Sequence, residues 1–382
     1  MENFQWKNST RIIFGKHTHE ETGRQVRKYS KNILLHYEGD GSLIKKLGIY
    51  DKVIFSLKQE GIAFHELGDV VPNPRLNVVR KGISLCKEKG IDFILAIGGG
   101  SVIDSAKAIA LGISYEGNVW DFFTGKNSPK ASVPIGVVLT IPGAGSEMSE
   151  SAIITDEKNV RKCVCDSEYN FPEFSILNPE VCYTVPKHLI AAGIADILSH
   201  LMERYFSQSN NVELSNRLLE ATMKTVVEFG TLFLKDRNNY SYASEIMWAA
   251  TIAHNGMIAC GRTADWASHR IEHELSASYD LTHGAGMALI FPAWIQYTKN
   301  SKPELFERFF REIFGESDFE KGLKKLKQYF QGLGLKLSLS EYGIGTENFE
   351  IMAERALDGA ETLGRFQKLK KEDIVNILYL AK

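Results

Sequence analysis

The chain has 382 residues, 44% of them hydrophobic and 24% charged, with a formal net charge of −2. That length exceeds what one ordinary core organises and predicts two domains. The near-neutral charge excludes an electrostatic nucleic-acid binder, and no run reaches the roughly 18 apolar residues of a membrane span.

The N-terminal stretch "MENFQWKNSTR" lacks the apolar core of a signal peptide. Five cysteines (Cys86, Cys163, Cys165, Cys182, Cys260), with no C-x-x-C pair, fit free thiols in a reducing compartment. A cytoplasmic protein of enzyme size is expected, with neither a membrane nor a nucleic acid as partner.

In chain order, "FQWKNSTRIIFG" (4–15) reads as an opening strand pair. "NILLHYEG" (32–39), "DFILAIGG" (92–99) and "VPIGVVLT" (133–140) are short apolar runs ending in Gly or Thr, the pattern of strands buried on both faces. Helical patterns over 77–90 and 102–113 lie between them, so the strands should form a parallel sheet with right-handed crossovers. Beyond "LNPEVCYTVP" (177–186) the patterns are helical throughout, beginning with "PKHLIAAGIADILSHLMERYFSQ" (186–208). The expected fold is a Rossmann-like α/β domain over 1–182, followed by a helical domain over 183–382.

"ILAIGGGSVIDSAKAIA" is a strand, a three-glycine turn and a helix. Gly98, Gly99 and Gly100 lack Cβ atoms, so backbone amides can approach a ligand closely. Ser101 and Asp104 have the spacing of a capping box, and a helix N-terminus suits a phosphate. The stretch is neither G-x-G-x-x-G nor a P-loop. After the next strand, "LTIPGAGSEMS" (139–149) puts the hydroxyls of Thr140, Ser146 and Ser149 where ligands of open α/β sheets bind.

"WASHRIEHELSASYDLTHGAG" (266–286) holds three of the ten histidines. His269 and His273 are four apart and share a helix face. The same residues match H-x-x-E-H, a zinc peptidase signature with Glu272 as base. Upstream, Asp196 and His200 are also four apart, the carboxylate among apolar neighbours where it would be costly without a partner. His283 lies in "LTHGAG", where Gly284 and Gly286 suggest a turn aiming the imidazole inward. Together these groups can converge on one divalent cation, and one carboxylate with three neutral imidazoles suits Fe²⁺ or Zn²⁺. Five candidates for four positions leave one histidine over for chemistry. His254 is read as a helix residue near the same cleft; His17, His19, His36, His65 and His188 are read as surface or structural residues.

These motifs, with "RIIFGK", "PNP" (72–74), "AIGGGSVIDSAKAIA" (96–110), "WDFFTGK" (120–126) and "ADILSHLMERY" (195–205), resemble the iron-containing alcohol dehydrogenases, and their butanol dehydrogenase branch in particular, from end to end. The resemblance implies a metal held by Asp196, His200, His269 and His283. It leaves His273 as an active-site histidine outside the ligand set. It also implies that Gly99, Gly100, Ser101 and Asp104 hold the pyrophosphate and nearby parts of a nicotinamide cofactor. Asn73, Thr140, Ser149 and Lys162 would line its remaining length. Asp40 and Ser42 would lie near the adenosine ribose, where a carboxylate favours NAD over NADP. "YEGDGSLIKK" is longer and more acidic here than the "YGGGSIKK" common in the family.

The expected activity is metal-dependent, NAD(P)-linked interconversion of primary, short aliphatic alcohols and aldehydes. The expected site is the cleft between the domains, with His273 as proton relay; the resemblance further implies a homodimer. Three rival readings are an H-x-x-E-H metallohydrolase, a dehydroquinate synthase-like lyase and a non-catalytic nucleotide-binding protein. The lyase family uses a Glu and two His as ligands, and the Asp196-x-x-x-His200 pair points away from it.

Overall fold

The computed structural model describes all residues from Met1 to Lys382 and divides into two units. One is Lys7–Val185; the other is Pro186–Lys382 together with Met1–Trp6.

The first unit is built on β1 (Arg11–Phe14), β2 (Asn32–Glu38), β3 (Ala63–Val70), β4 (Phe93–Gly98), β5 (Ile135–Leu139), β6 (Ser151–Asp156), β7 (Arg161–Asp166) and β8 (Phe174–Leu177). Six of these form a sheet in the order β1-β8-β5-β4-β2-β3, every pairing parallel. β6 and β7 form a separate antiparallel hairpin. Every residue of β4 and β5 is buried, as expected of central strands covered on both faces. From β2 the chain crosses to β3 on one side and returns to β4 on the other. The topological switch point, where open α/β sheets bind ligands, therefore lies between the carboxyl ends of β2 and β4. Asp40 and Ser42 follow one of these strands and Gly99 to Ser101 follow the other.

Two local expectations for the N-terminal half are corrected. The opening segment contributes one strand, not a pair, because its first residues are tied to the helical unit. The amine of Met1 donates to Asn210 O at 2.6 Å, Glu2 N to Gly261 O at 2.9 Å, and Trp6 Nε1 to Asn255 O at 3.3 Å. The helix after β4 spans Gly100–Ile113 with Gly99 as N-cap and no side-chain cap, so Ser101 and Asp104 form no capping box. Asp104 instead accepts from Ser146 Oγ (2.5 Å) and Ile153 N (3.1 Å). It serves the following loop rather than its own helix.

The second unit is helical. The helix Lys187–Tyr205 starts behind Pro186 and is buried over most of its length. His283 is not in a turn: it is the first residue of the helix His283–Thr298. The glycines after it permit close packing. A Cβ on Gly284 would lie 1.9 Å from Ala192 O, and one on Gly286 would lie 2.4 Å from Glu272 Oε1. No helix is long and apolar enough to cross a membrane.

Candidate functional site

In the helical unit, Asp196 and His200 project from one face of Lys187–Tyr205, as i, i+4 spacing requires. His269 stands in the first turn of the helix Ala267–Tyr279, and His283 begins the next helix. All four converge. Potential ligand atoms of Asp196, His200 and His269 lie within 4.8 Å of one another. Asp196 Oδ1 is 3.7 Å from His200 Nδ1 and 3.6 Å from His283 Nε2. Two ligands each about 2.1 Å from one tetrahedral ion lie about 3.4 Å apart, so these separations fit a shared ion with little movement.

The unmet polar atoms point the same way. His200 Nδ1 and His269 Nε2 are buried with no hydrogen-bond partner, a situation that costs about 1–3 kcal/mol per group. Burial holds the His200 pKa well below its usual value, and the neighbouring His254, His269, Arg204 and His283 push it further down. The imidazole is therefore neutral, the form that ligates metals. The donor set fits a divalent cation.

Two carboxylates stand beside these rings: Glu203, which escaped the sequence reading, and Glu272, which was read there only as a hydrolase base. Glu203 Oε1 accepts from His269 Nδ1 at 2.7 Å, and Glu272 Oε2 accepts from His283 Nδ1. Burial pushes the Glu203 pKa up, but hydrogen bonds from His269, Ser268 and the Trp266 amide outweigh it and hold the group ionised. The available signal was spacing: Glu203 is three residues after His200 and shares its helix face.

His273 is buried, with its ring 5.6 Å from that of His283, and its ligand atoms group with Glu272 and His283. The cluster thus separates His269 from His273. Glu272 is fully buried and engaged by His283 and Ser276 (2.6 Å), which leaves it poorly placed to activate water. The hydrolase arrangement is not met. One Glu and two His do lie together, Glu272 with His273 and His283, but that Glu is committed to His283 and Ser276, whereas Asp196 Oδ1 faces open imidazole nitrogens of His200 and His283. His254 lies against the cluster, its ring centroid 4.3 Å from that of His200.

In the α/β unit, a Cβ on Gly99 would meet Ile141 Cγ2 at 2.5 Å, and one on Gly100 would meet Ala144 Cβ at 2.8 Å. The glycines let the loop after β5 lie against the turn after β4. Lys107, which the sequence reading passed over, fixes that loop. Its fully buried Nζ donates to Ser146 O (2.7 Å), Ser151 O (2.8 Å), Ser146 Oγ (2.9 Å) and Ser149 O (3.0 Å). Burial lowers its pKa to about 8 against the pull of Asp104. Burial likewise raises the Asp104 pKa against the pull of Lys107.

Thr140 and Ser149 are buried, and Lys162 Nζ donates to Asn73 Oδ1 at 2.9 Å. Asn73 holds a left-handed backbone, φ 56°. Asp40 is exposed at the end of β2 and accepts from Ser42 N at 2.9 Å.

The profile described as iron-containing alcohol dehydrogenase matches residues 9–179, and that of the family's C-terminal domain matches 190–381. The chain is 43% identical to the probable NADH-dependent butanol dehydrogenase 2 of Bacillus subtilis over 99% of both chains. It is 34% identical to the NADPH-dependent aldehyde reductase YqhD of Escherichia coli over 90% of both. The crystal structure of NADH-dependent butanol dehydrogenase A from Thermotoga maritima superposes with a TM-score of 0.96 at 39% identity, covering 100% of this chain and 99% of that one. A parallel six-stranded sheet, a helical unit carrying an aspartate with three converging histidines, and profile matches over both halves lead to one conclusion: this chain belongs to the iron-containing alcohol dehydrogenase family.

Proposed function

We propose that the protein is a metal-dependent, NAD-linked alcohol dehydrogenase that interconverts primary, short aliphatic alcohols and their aldehydes. Asp196, His200, His269 and His283 would hold the divalent ion, Fe²⁺ or Zn²⁺. When bound, the ion supplies Lewis acidity toward a substrate oxygen and the dinucleotide supplies the hydride chemistry.

The remaining work falls to the protein's own side chains and backbone. Burial keeps the His200 imidazole neutral. Gly99, Gly100 and Ser101 open a helix N-terminus whose free amides suit a pyrophosphate. Asp104 acts through Ser146 and the loop. Thr140, Ser149 and the Asn73–Lys162 pair line the dinucleotide's remaining length. Asp40 and Ser42 take the adenosine ribose, and the Asp40 carboxylate repels a 2′-phosphate, so NADP(H) is the poorer cofactor. His273 Nδ1 or Nε2 holds and releases the proton that accompanies hydride transfer. The reading extends to a cytoplasmic homodimer.

The observation that carries it is the placement of Asp196 Oδ1 near both His200 Nδ1 and His283 Nε2, beside the unmet Nε2 of His269. The test is metal content together with NADH-dependent reduction of butyraldehyde. The wild type should carry one ion per chain and reduce the aldehyde; Asp196→Ala and His283→Ala should lose both properties together. A wild type that turns over fully without metal would defeat the proposal.

A further inference from the structure

Each of two metal-site imidazoles has its far nitrogen engaged by a buried carboxylate from a different part of the helical unit. Glu203 is 1% exposed and sits on the same helix as Asp196 and His200. It accepts from His269 Nδ1 (2.7 Å), His269 N (3.2 Å), Trp266 N (2.7 Å) and Ser268 Oγ. These four donors come from the start of the helix Ala267–Tyr279, where backbone amides have no partner within the helix. One carboxylate therefore both caps the helix and orients its histidine. Trp266 is the N-cap and is held at φ 64°, a left-handed conformation unfavourable for a bulky residue. Strain of this kind persists only where the surroundings over-determine it, and the Glu203 bond to Trp266 N is one such constraint.

Glu272, fully buried, accepts from His283 Nδ1 and from Ser276 Oγ (2.6 Å). Gly286 makes the space, because any Cβ there would strike the carboxylate at 2.4 Å.

We propose that Glu203 and Glu272 are positioning residues of the metal centre: they fix the rings of His269 and His283 so that each presents Nε2 to the ion, and they set how tightly the ion is held. The inference rests on the metal reading above. An imidazole that donates Nδ1–H to a carboxylate is locked in the Nε2-ligating tautomer and made more basic. The Nε2 atoms are where that tautomer needs them: that of His269 is buried without a partner, and that of His283 is 3.6 Å from Asp196 Oδ1. The glutamate of the H-x-x-E-H match is thus assigned to holding His283, eleven residues on, and not to acting as a base. Asp196 and His200 need no such partner to share a face, because both stand on one rigid helix.

The test uses full-length protein stripped of metal by chelator dialysis, then titrated with Zn²⁺ against a competing chelator and, separately, with Co²⁺ while its visible absorption is followed. Glu272→Gln and Glu203→Gln should each bind Zn²⁺ about 10- to 100-fold more weakly than the wild type. Each should also shift the Co²⁺ bands, while the metal-free Glu272→Gln protein melts close to the wild type. Wild-type affinity and an unshifted spectrum in both variants would overturn the proposal, even if melting or turnover changed, since a merely structural role moves only those. If Glu203→Gln fails to fold, Glu272→Gln alone decides. A wild type that binds no equivalent of either metal would overturn the metal reading itself, a result distinct from unaltered variants.

Discussion

Gly284→Ala separates helix propensity from packing at the metal site, because the two predict opposite signs. Propensity alone would make the alanine variant more stable, by at most about 1 kcal/mol, the value for a helix interior. The surroundings say otherwise. The new Cβ would lie 1.9 Å from Ala192 O, 2.6 Å from its carbonyl carbon and 3.1 Å from Asp196 Cβ. Ordinary contact begins near 3.4 Å, so the helices His283–Thr298 and Lys187–Tyr205 must part by about 1.5 Å at this point.

Overpacking of this kind costs about 1–3 kcal/mol. At about 2–4 °C per kcal/mol for a unit of this size, the melting temperature should fall by about 2–12 °C. The same movement carries His283 away from Asp196, and metal coordination tolerates only about 0.2 Å. Zn²⁺ affinity should therefore fall at least about tenfold. Differential scanning calorimetry with a chelator-competition titration reads both. A Gly284→Ala protein that melts at or above the wild-type temperature and binds Zn²⁺ as tightly would refute the packing argument.

His36 is fully buried, with Nδ1 2.8 Å from Leu67 O and Nε2 2.9 Å from Ser105 Oγ, and burial lowers its pKa from 6.5 to about 4. The unfolded chain takes up this proton first, so the contribution, about 3 kcal/mol, is present above pH 6.5 and lost as pH falls toward 4; urea unfolding of His36→Gln should show a shallower slope in that window. Lys107→Met leaves Asp104 and three carbonyls without their buried cation, and should cost about 3 kcal/mol or more while raising the KM for NADH more than it lowers kcat; an unchanged KM would remove Lys107 from the cofactor wall. Asp40→Gly should improve the kcat/KM ratio for NADPH over NADH, and an unchanged ratio would reject the ribose role. His273→Ala should keep one ion per chain yet slow turnover and alter its pH profile; loss of the ion would make His273 a ligand instead.

The parts of this protein that were legible in its sequence are those governed by periodicity. β4 and β5 are unbroken apolar runs, and only a strand covered on both faces tolerates that. The Asp196–His200 pair stands at helical spacing, so its shared face follows from geometry alone. What failed to show depends on distant partners. The spacing of Ser101 and Asp104 is the same whether the aspartate caps its own helix or reaches, as it does, to Ser146 and Ile153. Lys107 looks like any helix lysine until the Ser146–Ser151 backbone closes around it. Gly284 and Gly286 resemble turn glycines, yet they are helical and serve close approach to Ala192 and Glu272. Glu203 is one acid among many until the first turn of Ala267–Tyr279 docks on it.

The most direct measurement of the central claim is anomalous diffraction at the absorption edge of the metal in crystals of the loaded protein. A single peak is expected about 2.0–2.3 Å from a carboxylate oxygen of Asp196 and from one nitrogen each of His200, His269 and His283. A peak bridging His269 and His273 with no contact to Asp196 would contradict the claim.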